Sequence, residues 1–356
     1  MSIGSIIRQK PGFLKENKTG LIIHCTGCLT GGDLKNIRIG CCTSAFTRFM
    51  PLDKAIENIA ALGFKSVEIN VDDLAYFPSA MTGEYKNRLV RILNENSLCL
   101  NIHIDLNYIS AYSCSIRKPF NETAKELVLP FFSWAGKTNL KMITFDPLYT
   151  RPFVKSSGYL KTGVCDSLYY TVSKIRRGLY GYLSRNIKPI SDLKLVHGIF
   201  NGKLTFYRAA TIDIIKFAAS ACKEIPVGIE NFSEGTCTPE NFEDIQKELN
   251  GEFGVLLDIG HANLNIQRGL TKEKSIYDYI CAFKTPIIDI HASDNDGLYD
   301  QHLPPMQGSI DYYGVVSGLE RTGYNGSIML EVEGKTLERI KNSLSTSKNC
   351  LENMIN

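Results

Sequence analysis

The stretch DIHASDNDGLYDQHLPPMQGSID, residues 289–311, follows the apolar run PII at 286–288. It combines His291, Asp300 and His302 with prolines, glycines and small polar residues, as is typical of a strand that ends in a functional loop. Imidazole nitrogens and carboxylate oxygens are ligands for Zn, Mn, Fe and Co. Two histidines and an aspartate at one strand end therefore indicate a metal or catalytic site rather than an ordinary surface loop.

Short β-like runs alternate with amphipathic stretches of helix length on both sides of this loop, beginning at Ile37. The alternation predicts βαβ units around a parallel sheet. Seven further strands are predicted at 37–43, 66–70, 98–107, 141–147, 226–232, 253–263 and 327–333. Helices are predicted at 51–63, where Pro51 suits a helix start, and at 83–96, 121–137, 205–223, 239–250, 272–283, 313–322 and 334–352.

Eight strands and about eight helices in alternation make a (β/α)8 barrel the natural closure. We therefore predict an α/β fold of the TIM-barrel type with an N-terminal extension at 1–36 and a single barrel domain at 37–354. The alternation is interrupted after strand 4, which predicts an insertion at about 150–203. No break in the sequence separates a second domain.

The predicted insertion carries most of the positive charge. From Phe153 to Lys203, nine basic residues stand against two acidic ones, a net charge of +7 in a chain whose formal net charge is +3. A helix-like, tyrosine-rich piece at about 166–184 contains Lys174, Arg176 and Arg177. Lys and Arg suit phosphate, so we predict these three as substrate-binding residues in a basic lid over an anionic ligand. A solvated helical decoration is the alternative.

The overall composition is that of an ordinary globular protein, with 44% hydrophobic and 22% charged residues. The small net charge makes no case for nucleic acid or a membrane surface, and no run of eighteen apolar residues predicts a transmembrane helix. The eleven cysteines lack a regular spacing, and the first twenty residues lack the apolar core of a signal peptide. We therefore expect free thiols and a cytoplasmic location.

One C-x-x-C pair, Cys25 and Cys28 next to His24, has the spacing of a metal or redox site. A single pair is weak support for zinc, because structural zinc sites use four ligands. No feature of the sequence specifies an oligomeric state.

The carboxyl ends of all strands in a barrel meet on one face. Nine potential metal ligands stand at the predicted strand ends, and four of them are among the six histidines of the chain: His103, Asp146, Glu230, Asp258, His261, His291, Asp300, His302 and Glu331. Converging carboxylates repel unless cations neutralise them, so we predict that divalent metal binds at this site. The alternative is that single carboxylates only cap the following helices. Asn107, at the third strand end, is predicted to bind substrate.

The sequence resembles the xylose isomerase-like TIM-barrel superfamily, which holds sugar and sugar-phosphate isomerases and epimerases and the endonuclease IV type of abasic-site nuclease. The resembling segments lie between residues 37 and 334: IGCCTSAF, LNIHIDLN, GIENF, LLDIGHANLN, HASDNDGLYDQHLPPMQGSID and LEVEG. The elements DQHLPP and GSID are the more specific ones, but they do not select the reaction.

For the isomerases and epimerases, the resemblance implies one divalent metal, Mn, Co or Mg, on Glu230, Asp258, His291 and Glu331. The metal would polarise a carbonyl, the two glutamates would move a proton between adjacent carbons, and His261 would contact a substrate oxygen. Our first hypothesis is therefore a metal-dependent isomerase or epimerase of a sugar, sugar phosphate or related polyol, with Glu230, Glu331 and His261 as catalytic residues.

For the endonuclease IV type, the resemblance implies that all nine positions hold three zinc ions. Asp146 departs from that pattern, since the family has a His there, and Gln307 stands where many relatives have a Glu. The second hypothesis is a multinuclear zinc phosphodiesterase, with nucleic acid as a partner in that case alone. Ketose 3-epimerases usually have an Arg in the loop that here contains residues 294–296, which weakens that particular assignment.

A third hypothesis is a metal-binding barrel with a specialised biosynthetic reaction. Under this hypothesis His24, Cys25 and Cys28 would contribute to function.

Overall fold

The computed structural model describes residues 34–134, 136–148, 208–232, 237–250, 253–298 and 300–355. Eight parallel strands form a closed barrel in chain order, and pairing of the first strand with the eighth closes the ring. The predicted (β/α)8 barrel is confirmed. The strands are β1 Arg38–Cys42, β2 Ser66–Val71, β3 Cys99–Ile104, β4 Asn139–Phe145, β5 Val227–Glu230, β6 Gly254–Asp258, β7 Ile287–Ala292 and β8 Ser327–Leu330.

Helices connect the strands on the outside of the barrel. They are α1 Ser44–Thr47, α2 Leu52–Ala61, α3 Gly83–Glu95, α4 Leu106–Ile116, α5 Phe120–Phe132, α6 Arg208–Ala221, α7 Pro239–Leu249, α8 Ile259–Gln267, α9 Ile276–Ala282, α10 Tyr312–Thr322 and α11 Leu337–Ile355. Leu34–Asn36 and Leu74–Tyr76 form short 3₁₀ helices. Within the described ranges, no helix has both the length and the apolar content needed to cross a bilayer.

The core lies between the strands and the surrounding helices. Every residue of β2, β3, β5, β6 and β8 is buried, because helices cover one side of a barrel strand and side chains fill the other. The helices bury one face each; α2, for example, buries Leu52, Ile56 and Ile59. α7 begins at Pro239, with Thr238 as its N-cap residue but without a side-chain capping hydrogen bond.

Several strands end earlier than predicted, and after β3 and at the end of β6 an aspartate begins the following helix. β3 ends before Asp105, whose carboxylate accepts the backbone N–H of Asn107 at 2.7 Å in the first turn of α4. β6 ends at Asp258, whose Oδ1 accepts the backbone N–H of His261 at 2.6 Å and caps α8. The predicted continuation of these strands to 107 and 263 was wrong, because capping side chains compete with strand pairing.

Several predicted features lie outside the described residues. They are most of the 1–36 extension, with His24, Cys25 and Cys28, and the 150–203 insertion, with Lys174, Arg176 and Arg177. The domain boundaries and the basic lid therefore stay predictions. Seven of the cysteines in the described ranges are shown as free thiols: Cys41, Cys42, Cys99, Cys222, Cys237, Cys281 and Cys350. The cytoplasmic location also stays a prediction.

Candidate metal centre

Three of the four residues implied for a single metal, Glu230, Asp258 and His291, have ligand atoms within 4.8 Å of one another at the carboxyl ends of the strands, and Glu331 lies beside His291. Asp258 and His291 are register partners on β6 and β7. His291 Nδ1 lies 3.1 Å from Glu331 Oε2 and 3.9 Å from both Glu230 Oε1 and Asp258 Oδ2. Ligand atoms held about 2.1 Å from one ion lie roughly 3 to 3.5 Å apart at octahedral or tetrahedral angles. The observed separations are close to that range.

Two atoms in this group are buried without a hydrogen-bond partner, namely His291 Nδ1 and Asp258 Oδ2. The two residues are 1% and 0% exposed. An unsatisfied buried polar atom costs about 1–3 kcal/mol, and a cation would satisfy both atoms at once. One imidazole and three carboxylates suit Mn, Mg, Co or Zn. The residues present therefore fit a divalent metal ion.

A second cluster adjoins the first through Glu230. His103 Nε2 lies 3.3 Å from Asp146 Oδ1 and 3.2 Å from Glu230 Oε2. The other ring nitrogen of His103 lies 3.0 Å from the hydroxyl of Thr144 on the neighbouring strand β4. Glu230 Oε1 lies 3.0 Å from His261 Nδ1, so the two carboxylate oxygens of Glu230 contact different histidines. Asp146 thus places a ligand oxygen in the site although the expected His is absent.

A third cluster is centred on Asp300. Its Oδ2 lies 3.1 Å from Nε2 of His261 and 3.1 Å from Nε2 of His302. The Nδ1 atoms of these rings face backbone carbonyls, that of Asn231 at 3.0 Å and that of Glu331 at 3.3 Å. If each Nδ1 donates to its carbonyl, a neutral ring has a lone pair at Nε2. Three acceptors then converge, which a second cation or the hydroxyl donors of a substrate would satisfy.

The nine predicted ligands therefore form one continuous group. The four histidines are buried or partly buried, and burial by itself opposes their protonation. The neighbouring carboxylates outweigh burial, so in the metal-free chain the pKa of each histidine lies well above its usual value. A metal ion must displace these protons in order to bind.

The pKa values of the carboxylates in this group shift in opposite directions. Burial, reinforced by the charge of Asp146, raises the pKa of Glu230 to about 7. Burial acts the same way on Glu331, but His291 and His302 outweigh it and lower its pKa to about 2. Histidine partners likewise hold the pKa of Asp146 and Asp300 below the usual value against the effect of burial. The two glutamates nearest His291 therefore differ in protonation near neutral pH.

Comparison with known families agrees with this fold. Residues 203–352, which include β5 to β8, match the family described as xylose isomerase-like TIM barrel. The predicted resemblance is confirmed, and the matched segment includes seven of the nine ligands, from Glu230 to Glu331.

Two curated relatives match parts of this chain. An uncharacterised protein of Methanocaldococcus jannaschii is 31% identical over 135 residues, which are 36% of this chain and 43% of that protein. A second relative from the same organism is also uncharacterised, and the chain spans about half the length of the curated relatives it matches.

Two solved structures share the barrel over most of the chain. A D-tagatose 3-epimerase-like protein superposes with a TM-score of 0.58 and 18% identity, covering 90% of this chain and 97% of that chain. The AP endonuclease, family 2, from Brucella melitensis gives a TM-score of 0.54 and 14% identity, covering 88% of this chain and 98% of that chain. At these identities the similarity shows the fold.

Some residues that shape the candidate site were not identified from the sequence. Glu68 on β2 contacts His291, and Thr144 contacts His103. Asn231 joins β5 to β6, since its side chain accepts the backbone N–H of Asp258 at 2.6 Å and donates to the Asp258 carbonyl at 2.9 Å. The available signal for Glu68 was a charged residue between two apolar ones inside a predicted strand.

Asn107 is a further predicted site residue within the described ranges, and it links two strand ends. Asn107 is buried, and its amide donates to the carbonyl of Pro147 at 3.2 Å, which links the ends of the third and fourth strands. Asn295 donates to the Gly260 carbonyl at 2.9 Å and therefore holds the β7 loop against α8. Gln307 is exposed on that loop. A substrate contact by Asn107 stays a prediction.

Proposed function

We propose that this chain is a divalent-metal-dependent isomerase or epimerase that acts on a sugar, sugar phosphate or related polyol by metal-assisted proton transfer. The observation that carries the proposal is the pair of glutamates around the unpaired Nδ1 of His291. Glu230 on β5 and Glu331, just after β8, reach this atom from either side of β7 in the strand order. The epimerase-like structural neighbour supports the same reaction class.

In this proposal Glu230, Asp258, His291 and Glu331 would hold the cation. When bound, it supplies Lewis-acid polarisation of a substrate carbonyl and its neighbouring hydroxyl. Asp258 can serve as a ligand and a helix cap at once, because Oδ1 accepts the N–H of His261 while Oδ2 has no hydrogen-bond partner.

The two glutamates are the candidate proton carriers. Each offers a carboxylate that can take and return a proton at a substrate carbon. In the chain without a cation, burial and the charge of Asp146 raise the pKa of Glu230 to about 7. The lowered pKa of Glu331 keeps that carboxylate ionised. Asp300 is partly exposed and its Oδ2 lies 3.1 Å from Nε2 of the buried His261, so this pair can orient substrate hydroxyl groups.

One observation favours a second candidate function, a multinuclear zinc phosphodiesterase of the endonuclease IV type. His261, Asp300 and His302 supply two imidazoles and a carboxylate, a donor set that suits a further cation. The AP endonuclease neighbour shares the barrel. In this candidate the substrate is a nucleic-acid backbone instead of a small polyol.

Metal analysis of the purified full-length chain tests both functions. We expect one exchangeable Mn²⁺ or Co²⁺ per chain by native mass spectrometry and elemental analysis, together with isomerisation or epimerisation of ketoses or sugar phosphates. Two or three tightly held zinc ions, with cleavage of an oligonucleotide that contains an abasic site, would establish the second candidate instead.

A further inference from the structure

A buried glutamate contacts the metal-centre histidine from the side opposite the proposed cation. Glu68 lies in the middle of β2 and is 0% exposed. Its Oε1 lies 2.7 Å from Nε2 of His291, which is 223 positions later in the chain. The thiol of Cys42 and the amide of Asn70 approach the same oxygen, each at 3.2 Å. Three polar groups therefore converge on one carboxylate oxygen.

The identity of these groups assigns the proton on the His291 ring. A thiol and an amide N–H both donate to Glu68 Oε1, so this oxygen is an acceptor and the Nε2–H of His291 also donates to it. A neutral imidazole with its proton on Nε2 has a lone pair at Nδ1. Nδ1 is the buried atom without a hydrogen-bond partner, 3.1 Å from Glu331 Oε2.

We propose that Glu68 is a positioning residue, which fixes the tautomer and orientation of the His291 ring so that Nδ1 faces the cation. This inference rests on the metal binding in the proposed function. Partners of this kind typically change metal affinity by about 10–100-fold. Ligand atoms of Cys42, Glu68 and His291 also lie within 4.8 Å of one another. The 2.7 Å separation of Glu68 and His291 is a hydrogen-bond length, however, and leaves no room for an ion between them.

Asp289 provides a matched control. It is also a carboxylate with 0% exposure, and it lies on β7 two residues before His291. Its carboxylate accepts from the amide of Asn101 and from the backbone N–H of Ile290, so it has partners other than the His291 ring. Asp289→Asn therefore removes a buried carboxylate from the same layer and keeps the contact between Glu68 and His291.

The experiment compares Mn²⁺ and Co²⁺ binding by the wild-type chain, Glu68→Gln and Asp289→Asn after metal is removed with a chelator. In Glu68→Gln, an amide N–H can donate to Nε2 and move the ring proton to Nδ1, where it competes with the cation. We expect Mn²⁺ binding to weaken about 10–100-fold by calorimetry and the visible spectrum of bound Co²⁺ to change. Asp289→Asn should bind both metals as the wild type does.

Each outcome has a distinct meaning. Equal Mn²⁺ affinity in Glu68→Gln and the wild type would overturn the role of Glu68 and leave the proposed function intact. A wild-type chain that binds neither Mn²⁺ nor Co²⁺ would overturn both proposals. An equal loss of affinity in Asp289→Asn would show that removal of any buried carboxylate in this layer suffices, and would also overturn the role of Glu68.

A second measurement observes the ring nitrogens in the wild-type protein. In wild-type protein labelled with ¹⁵N-histidine and loaded with Zn²⁺, long-range ¹H–¹⁵N correlation spectra distinguish the two ring nitrogens. A His291→Gln sample assigns the signals by their loss. We expect Zn²⁺ on Nδ1 and the proton on Nε2 of His291. Zn²⁺ on Nε2 would contradict the proposal.

Discussion

At the residue scale, the two glutamates near His291 have different electrostatic surroundings. Glu230 is 3% exposed and lies between two histidines and Asp146, whereas Glu331 is partly exposed and near His302. Buried carboxylates next to one another favour a shared proton, while carboxylates next to histidines favour ionisation. A pair of carboxylates with separated pKa values is the arrangement expected for acid and base roles.

We predict that Glu230→Gln and Glu331→Gln each lower kcat by at least about 100-fold, because an amide cannot carry the proton. Circular dichroism and thermal unfolding should show an intact fold. Glu333→Gln is the control, since Glu333 is exposed and two residues from Glu331. Near wild-type turnover in either Glu230→Gln or Glu331→Gln would disprove the proton-transfer assignment.

Asp300 distinguishes the two candidate functions at the level of one side chain. In the isomerase proposal it orients a substrate hydroxyl, so Asp300→Asn should raise KM about tenfold or more and leave the metal count unchanged. Asp296→Asn, an exposed aspartate on the same loop, should change neither quantity. Loss of one zinc ion per chain in Asp300→Asn, measured by native mass spectrometry, would instead support the multinuclear site.

At the scale of elements, the loop after β7 is a compact structure that holds Asp300 and His302. Asp294 and Leu303 exchange two backbone hydrogen bonds, at 2.7 and 2.8 Å, so the loop returns to its own start. The Asp294 carboxylate accepts the backbone N–H of Ile310 at 3.2 Å. His302 has a φ of 47°, a left-handed conformation that is uncommon outside glycine. The loop therefore holds this histidine in a conformation it would otherwise rarely adopt.

Gly308 is the position where this loop tolerates no side chain. A Cβ there would collide with the Asp294 carboxylate and with the Asn295 carbonyl. We predict that Gly308→Ala destabilises the protein by about 1–3 kcal/mol in urea unfolding and weakens metal or substrate binding, because the loop must shift. Gly83→Ala is the matched control, since no atom lies within 4 Å of a Cβ at that position. Equal stability of the two variants would disprove this account of the loop.

At the scale of the whole molecule, the titratable side chains of the candidate metal centre make the stability of the fold depend on pH. The four histidines and Glu230 have raised pKa values in the folded, metal-free chain. A raised pKa stabilises the fold below the unfolded pKa, and this stabilisation is lost as pH rises through the folded pKa. The pKa values of Asp146, Asp300 and Glu331 are lowered in the folded chain, so these carboxylates stabilise the fold above their unfolded pKa. This stabilisation is lost only when the pH falls into the acid range.

We therefore predict that the chain in excess chelator loses stability between pH 6 and pH 8.5. The loss should be several degrees in the unfolding midpoint, since roughly 1 kcal/mol corresponds to about 2–4 °C at this size. With saturating Co²⁺ the midpoint should instead rise over the same range, because metal binding requires deprotonated histidines. Calorimetric scans with and without Co²⁺ measure both slopes. Parallel slopes in the two conditions would contradict the prediction.

The sequence pattern was sufficient to predict the barrel and most of the candidate site. Alternating apolar runs and amphipathic stretches predict a parallel sheet covered by helices, and such a sheet with eight strands closes into a barrel. Closure brings all strand ends to one face, so the strand order alone assigns residues as distant in sequence as His103 and Glu331 to one site. The predicted strand ends at residues 107 and 263 were wrong, because an aspartate can either continue a strand or cap a helix.

The tertiary structure was needed to show which partner each ligand atom of a side chain contacts. Asp258 gives one oxygen to the α8 cap and leaves the other facing His291. Glu68 accepts from the far side of the His291 ring and thereby selects its tautomer. Neither result is encoded in local spacing, because each depends on side-chain contacts across strands far apart in sequence. The sequence therefore specifies which ligands meet, and the packing of the barrel specifies which of their atoms face the cation.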